Sequence, residues 1–330
     1  MSVYMTIFLF VLGLVFIIKG GDWFVDSSIW TAKVTGIPSI IIGATIVSFA
    51  TTLPELLVST SATLKGSTDI AIGNAIGSTI CNIGLIAGII LFFKPREVSK
   101  KAFGKKGFLM IGVTLLVVVL AFNNEMNKVE SALLLSTIAL FFYINIKLYK
   151  DVSRDDKEIT QPSRKDILEN IIKFVLGSAF IILGSNLLVT HGIELAKILN
   201  VPESIIGLTL IAFGTSLPEL VTGITAILKD DSDIGIGNIL GANILNIAMI
   251  IGTSGLIVKD TLVMTMTDVN ILNIVAENVP QTLYYDIPFS LIFMLVLVLP
   301  GVIKGKMYKS QGVVLLFLYV LYTGILVNLT

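Results

Sequence analysis

Long apolar stretches alternate with short polar ones along the whole chain. Ten are long enough to cross about 30 Å of hydrocarbon. They fall at roughly 3–19, 38–64, 70–93, 107–122 and 129–146, then 171–196, 202–228, 234–258, 287–303 and 312–328. No basic residue precedes the first and no small-residue cleavage motif follows it, so it reads as a retained helix and not a signal peptide. The one strongly hydrophilic segment, KDVSRDDKEITQPSRKD at 150–166, lies between the fifth and sixth stretches and reads as a linker. It separates a first five-helix half, 1–149, from a second, 167–330. Residues 259–286 contain Asp260, Asp268, Glu277 and Pro280 and read as an outside loop with an interfacial helix. The expected fold is an all-α integral membrane protein, one domain of ten transmembrane helices.

Charge orients these helices. One side holds Lys33, the six basic residues from Lys94 to Lys106, the six from Lys147 to Lys165, Lys229, Lys304, Lys306 and Lys309, 17 in all. The other side holds Lys65, Lys128, Lys197 and Lys259. Cytoplasmic loops carry the excess of Lys and Arg, which places both termini outside and 150–166 in the cytoplasm of a cell-membrane protein. Composition agrees: 55% of residues are apolar, 14% are charged and the mean hydropathy is +0.92, against about 25% charged in soluble proteins. A single cysteine, Cys81, excludes a disulfide scaffold. The 23 basic and 23 acidic residues cancel, and no arginine-rich face offers itself to nucleic acid. With one histidine, His191, no HExxH and no nucleophile–base pair or cofactor motif, neither enzymatic activity nor a cofactor is expected.

Shifting the sequence by 164 residues lays 20–90 over 184–254 without a gap, with 30 of 71 positions identical. GATIVSFATTLPELL falls on GLTLIAFGTSLPELV, and DIAIGNAIGSTICNI on DIGIGNILGANILNI. Five spans per half is an odd number, so the second half enters the membrane from the opposite side. Such inverted repeats place a binding site near mid-membrane between the halves.

Repeated polar residues carry the candidate chemistry. Glu55 and Glu219 lie deep in their spans, where a carboxylate costs about 2.5–3.5 kcal/mol on insertion scales. They read either as cation ligands or as protonated carboxyls joining helices. Pro54 and Pro218 precede them and strip the carbonyls of Ala50 and Gly214 of their helical donors. Thr51 and Thr215 stand one turn before each glutamate, on the same face. Carboxylates, hydroxyls and carbonyls together suit a hard cation, and two negative charges match one divalent ion, with Ca²⁺ favoured over the reluctantly dehydrated Mg²⁺. Asn82 and Asn246 offer amide oxygens or interhelical hydrogen bonds, and Asn74 and Asn238 sit in matching glycine-rich turns. Gly73, Gly77, Gly237 and Gly241 read as a close-packing seam.

These motifs resemble the two α-repeats of the sodium/calcium exchangers, within the calcium/cation antiporters. The resemblance implies a ten-helix antiporter exchanging Na⁺ for Ca²⁺ by alternating access, with Glu55 and Glu219 binding both ions. It implies ligands at Thr51 and Thr215, a polar pair at Asn82 and Asn246, and sodium positions at Ser48, Thr52, Ser78, Ala212 and Ser216. It implies that the first and sixth helices slide across the rest to switch access. Ala242 stands where the first repeat has Ser78, so one hydroxyl is missing from that sodium site. Asn246, where the potassium-dependent branch has Asp, argues against potassium co-transport. GNAIGST lacks the glutamate typical of the proton-coupled branch, which favours Na⁺ over H⁺. The alternatives are an H⁺-driven antiporter of Ca²⁺ or another divalent cation, and a passive cation channel. Na⁺ and Ca²⁺ as substrates, the lipid bilayer and a monomeric working state complete the expectation.

Outside the repeats, Asp22 and Asp26 read as capping or solvating a helix end, or as guiding ions. His191 reads as an interfacial histidine and Cys81 as a buried packing residue. Trp23 and Trp30 read as interface anchors. The lysines of 94–106 read as a topology determinant or an anionic-lipid contact.

Overall fold

The computed structural model describes residues 3–152, 162–198, 212–265, 267–271 and 274–329. Among these, nine helices are long and apolar enough to cross a membrane. They are α1 (Val3–Thr35), α2 (Ser39–Leu64), α3 (Thr68–Phe93), α4 (Lys100–Leu120), α5 (Lys128–Val152), α6 (Arg164–Ile198), α8 (Ser232–Ile257), α9 (Thr282–Lys304) and α10 (Lys309–Leu329). The seventh expected span appears as a turn of helix at Ala212–Thr215 and the shorter α7 (Leu217–Leu228); its residues 202–211 lie outside the described part. Residues 153–161 of the linker also lie outside it.

The helices differ from expectation at their ends. α1 runs sixteen residues past its apolar stretch, because Lys19, Asp22 and Asp26 interrupt hydropathy without interrupting the helix. α4 starts at Lys100, where the Ser99 hydroxyl accepts from the Ala102 N–H at 3.3 Å and caps it. Lys105 and Lys106, expected in a loop, are therefore helical, and Lys106 is fully buried. Among the described residues the 259–286 segment contains strands, and its helical part, Thr282–Asp286, is the start of α9: Thr267–Ile271 pairs antiparallel with Ile274–Val279, and Leu262–Val263 pairs with Glu125–Met126. A third short ladder joins Arg96–Glu97 to Lys306–Met307.

Two compact units divide the chain, 1–51 with 149–238 and 52–148 with 239–330. Each unit takes residues from both sequence halves. The chain passes between them inside α2, after Thr51, inside α5, after Leu148, and inside α8, after Asn238.

In the first unit α1 packs along α6 through glycine. A Cβ on Gly13 would stand 2.9 Å from the Gly184 carbonyl oxygen, and one on Gly20 would stand 2.8 Å from that of Gly177. Gly177 and Gly184 are the repeat copies of Gly13 and Gly20, so the contacts are reciprocal. Phe16 stacks on Phe180, its own copy, at 4.8 Å. A residue meeting its copy across a two-fold is how an inverted repeat packs. Phe24, Val25, Ile42, Val47, Ile181 and Ala226 fill the core behind them. The start of α2 closes on the start of α8: a Cβ on Gly237 would lie 2.5 Å from the Ile40 carbonyl oxygen. The repeat counterpart of that contact, Gly73 against 204–208, falls on residues outside the described part, and the described residues leave Gly73 and Gly77 without neighbours within 4 Å.

In the second unit α3 is held by α9 and α10. Gly84 admits Phe293 and Tyr319, and Gly88 admits Leu316. α8 is buried along its length, whereas α1, α5, α6 and α10 turn many large apolar side chains outward, as lipid-facing helices do.

Candidate ion-binding site

Among the described residues, both units contain candidate ligands that are buried and short of hydrogen bonds. In the first unit, α7 begins at a break: Ser216 leaves helical geometry, and Pro218 at the first turn needs no N–H partner. Glu219 follows, fully buried, and neither carboxylate oxygen has a hydrogen-bond partner. Thr51 of α2 lies beside that carboxyl, yet its hydroxyl donates to Asn238 Oδ1 of α8 at 3.0 Å. The Asn238 amide nitrogen has no partner, nor has the Ser216 hydroxyl. Ser48, one turn back along α2, spends its proton on the Ala44 carbonyl at 2.7 Å, which leaves its lone pairs available. Thr215 and Ala212 occupy the helical turn before the break.

In the second unit, α2 continues through Pro54 without ending. Glu55 is fully buried, and its backbone carbonyl accepts from the Asn74 amide at 3.3 Å. Asn74 also donates to the Ser59 hydroxyl at 2.9 Å, tying α3 to α2. The Thr52 hydroxyl is buried with no partner. On α3, Ser78 is buried, and the Asn82 amide donates to Asn243 Oδ1 at 3.1 Å while its own oxygen stays unpaired. Asn246, also fully buried, has neither its oxygen nor its nitrogen paired.

Native proteins pair the large majority of buried polar atoms, and each orphan costs about 1–3 kcal/mol. Among the described residues, four of the orphans form repeat-equivalent couples, Thr52 with Ser216 and Asn82 with Asn246, while others, such as Asn238 and Ser290, do not. Oxygens left open at matched positions beside a buried carboxylate are what a dehydrated hard cation requires. Among the described residues no three His, Cys, Asp or Glu side chains gather, so the donor set is mixed: carboxylate, hydroxyl and amide oxygen.

Two features escaped the sequence reading. Asn82 and Asn246 each open a π-helical turn, Asn82–Ala87 and Asn246–Ile251, a distortion frequent at functional sites. Asn243 partners Asn82 directly, as Asn238, already marked by the GN motif, partners Thr51; Asn243 replaces Thr79 of the other repeat, which broke the symmetry that would have flagged it.

A family profile described as sodium/calcium exchanger protein matches residues 5–147 and 170–328. The chain belongs to that family. Each matched segment contains one of the two repeats. Sodium/calcium exchanger MaX1 of Methanosarcina acetivorans is 30% identical over 96% of this chain and 96% of its own. The putative antiporter CaxA of Alkalimonas amylolytica is 36% identical over 76% of this chain and 80% of its own. Among solved structures, the sodium-calcium exchanger NCX_Mj soaked with zero Na⁺ and Ca²⁺ superposes with a TM-score of 0.82 at 27% identity, covering 98% of this chain and all of that one.

Residues expected elsewhere are also placed. Asp22 and Asp26 are not at a helix end: they project from α1 to Lys229 just beyond α7, at 3.4 and 2.8 Å. Burial alone would lower the Lys229 ammonium's pKa; Asp26 and Asp22 outweigh it and hold the group above the ordinary lysine value. His191 is buried within the protein, its Nδ1 3.1 Å from Glu194 Oε2, which also accepts from Thr6 at 3.0 Å. Cys81 is a free, buried packing residue.

Proposed function

We propose that this chain is a secondary active antiporter that exchanges Na⁺ for Ca²⁺ across the cell membrane by alternating access. Glu55 and Glu219 are shared ligands of both ions. Thr51, Thr215, Asn82 and Asn246 complete the calcium site, and Ser48, Thr52, Ser78, Ala212 and Ser216 supply sodium positions, Ala212 through its carbonyl. The halves 1–149 and 167–330 act as the two inverted repeats, with both termini outside, 150–166 cytoplasmic and the monomer as the working unit. The observation that carries the reading is the matched set of buried, unpaired oxygens, Thr52 with Ser216 and Asn82 with Asn246.

Coupling follows from burial. An emptied site leaves buried carboxylates without a cation in a low-dielectric slab, which opposes the switch between sides. Several Na⁺ or one Ca²⁺ remove that penalty, so only filled states cross. Exchange of more than two Na⁺ per Ca²⁺ moves net charge and gains about 2.3 kcal/mol per charge per 100 mV.

The test is ⁴⁵Ca²⁺ uptake by proteoliposomes under imposed Na⁺, K⁺ or H⁺ gradients. Uptake driven by outward Na⁺ alone is expected. Uptake driven by a proton gradient with Na⁺ absent would replace this reading with a proton-coupled one.

A further inference from the structure

We infer that the groove between α9 and α10 is a binding site for one anionic glycerophospholipid. Its acyl chain lies along the groove and its phosphodiester at Lys304.

The groove encloses about 500 Å³, and its floor is apolar, with Leu295, Leu299, Ile303 and Val314 among its lining residues. One end is polar, formed by Lys304, Tyr308 and Ser310. From Leu295 to Lys304 the helix rises about 14 Å, close to half of a hydrocarbon core of about 30 Å. A single leaflet's acyl chain therefore spans the floor when its headgroup is at the polar end.

The groove is built into the helix ends. Pro300 cannot donate to the Val296 carbonyl, and Gln311 of α10 fills the gap, donating to the carbonyls of Val296 and Leu297 at 2.8 Å each. That side chain pins the start of α10 beside the proline turn.

Charge selects the occupant. Of the lysines around this end, Lys309 lies over the Phe92 ring at 4.4 Å and Lys100 donates to the Ile303 carbonyl at 2.7 Å. Lys304 is exposed and lies 5.6 Å from the centre of the Tyr308 ring, at the groove mouth. The first turn of α10, with the Ser310 hydroxyl, faces the same mouth and adds the positive end of a 21-residue helix. No acidic side chain lines the groove. The groove of about 400 Å³ between α1 and α6 differs: beside Lys165 its wall carries Glu169, paired with Lys173 at 2.7 Å, so an anion there would meet a carboxylate.

The experiment places the full-length protein in nanodiscs made of equal parts palmitoyl-oleoyl phosphatidylglycerol and phosphatidylcholine. Lipids retained after release are counted by native mass spectrometry, and a photoreactive phosphatidylglycerol maps its contacts. Retention of phosphatidylglycerol over phosphatidylcholine is expected, with labels on 295–314. Lys304→Gln is expected to weaken retention about fivefold, from about 1 kcal/mol per basic residue near an anionic surface. Leu299→Trp fills the floor and is expected to abolish labelling while leaving Lys304 in place. Equal retention of both lipids, labels elsewhere, or retention unchanged in both variants overturns the inference. Competition by millimolar inorganic phosphate with labelling undiminished by Leu299→Trp would mean a headgroup site without the groove, and also overturns it.

Discussion

The Thr51 hydroxyl donates to Asn238 Oδ1 at 3.0 Å. The bond joins α2 of the first repeat to α8 of the second, and it turns the threonine's lone pairs, not its proton, toward any ion beside Glu219. It also fixes the Asn238 amide, which orients Thr51 through one lone pair of its oxygen and keeps the second lone pair, with its N–H₂ group unpaired among the described residues. Thr51→Val keeps the shape and removes the bond. We expect it to cost about 1–3 kcal/mol through the orphaned amide oxygen and to lower apparent Ca²⁺ affinity in flux assays. Thr51→Ser, which keeps the hydroxyl, is expected to recover most of that affinity; equal loss in both variants would make the contact a packing feature only.

Glu219→Gln replaces a fully buried carboxyl group with a neutral amide. In ion-free buffer the variant is expected to melt higher than the parent, because a neutral amide is cheaper to bury. The parent is expected to gain about 2.7 kcal/mol of stability at Ca²⁺ one hundred times Kd, and the variant none. Thermal melts with and without Ca²⁺ measure this. Sodium-driven ⁴⁵Ca²⁺ uptake is expected to be abolished in Glu219→Gln and in Glu55→Gln, and undiminished uptake in either would refute a shared site.

Ala242 is fully buried at the position equivalent to Ser78. Ala242→Ser restores the hydroxyl that the second repeat lacks. The expected result is a higher apparent Na⁺ affinity with Ca²⁺ affinity little changed. A sodium dependence identical to the parent's would remove position 242 from the set of ligands.

Gly20 and Gly184 tolerate no side chain, since the atoms a Cβ would meet include backbone at 2.8 Å. Gly20→Val is expected to destabilise the α1–α6 pair by about 1–3 kcal/mol, the range for overpacking, and Gly112→Ala in α4, where a Cβ would meet nothing within 4 Å among the described residues, much less. Melting temperatures of the two variants in one detergent decide the ranking.

How far the sequence disclosed this protein depends on the kind of signal. Hydropathy located the spans, and the 164-residue offset exposed the inverted repeat and its glutamates, because polar residues in apolar helices stand out. Helix ends were less visible. Asp22 and Asp26 ended the apolar run but not α1, since Lys229 pairs with both. Lys106 looked like loop and is buried helix, started by a cap at Ser99 that a lysine-rich run concealed. The strands in 259–286 were missed because charge and proline there suggested only a loop. The π-helical turns were invisible in principle: α3 and α8 are apolar nearly all round, so no stripe was present whose slippage would reveal an extra residue.

Those turns make the register of α3 unusually sensitive to length. Between Asn82 and Ala87 the helix accommodates one residue more than an α-helical turn would. Losing a single residue there would let the backbone relax to regular geometry, and everything upstream would swing by about 100° about the axis. Asn74, Ser78 and Asn82 would rotate together, away from the partners they now meet. A one-residue deletion in this stretch thus amounts to turning a key in its lock, whereas a substitution at the same place changes only one tooth.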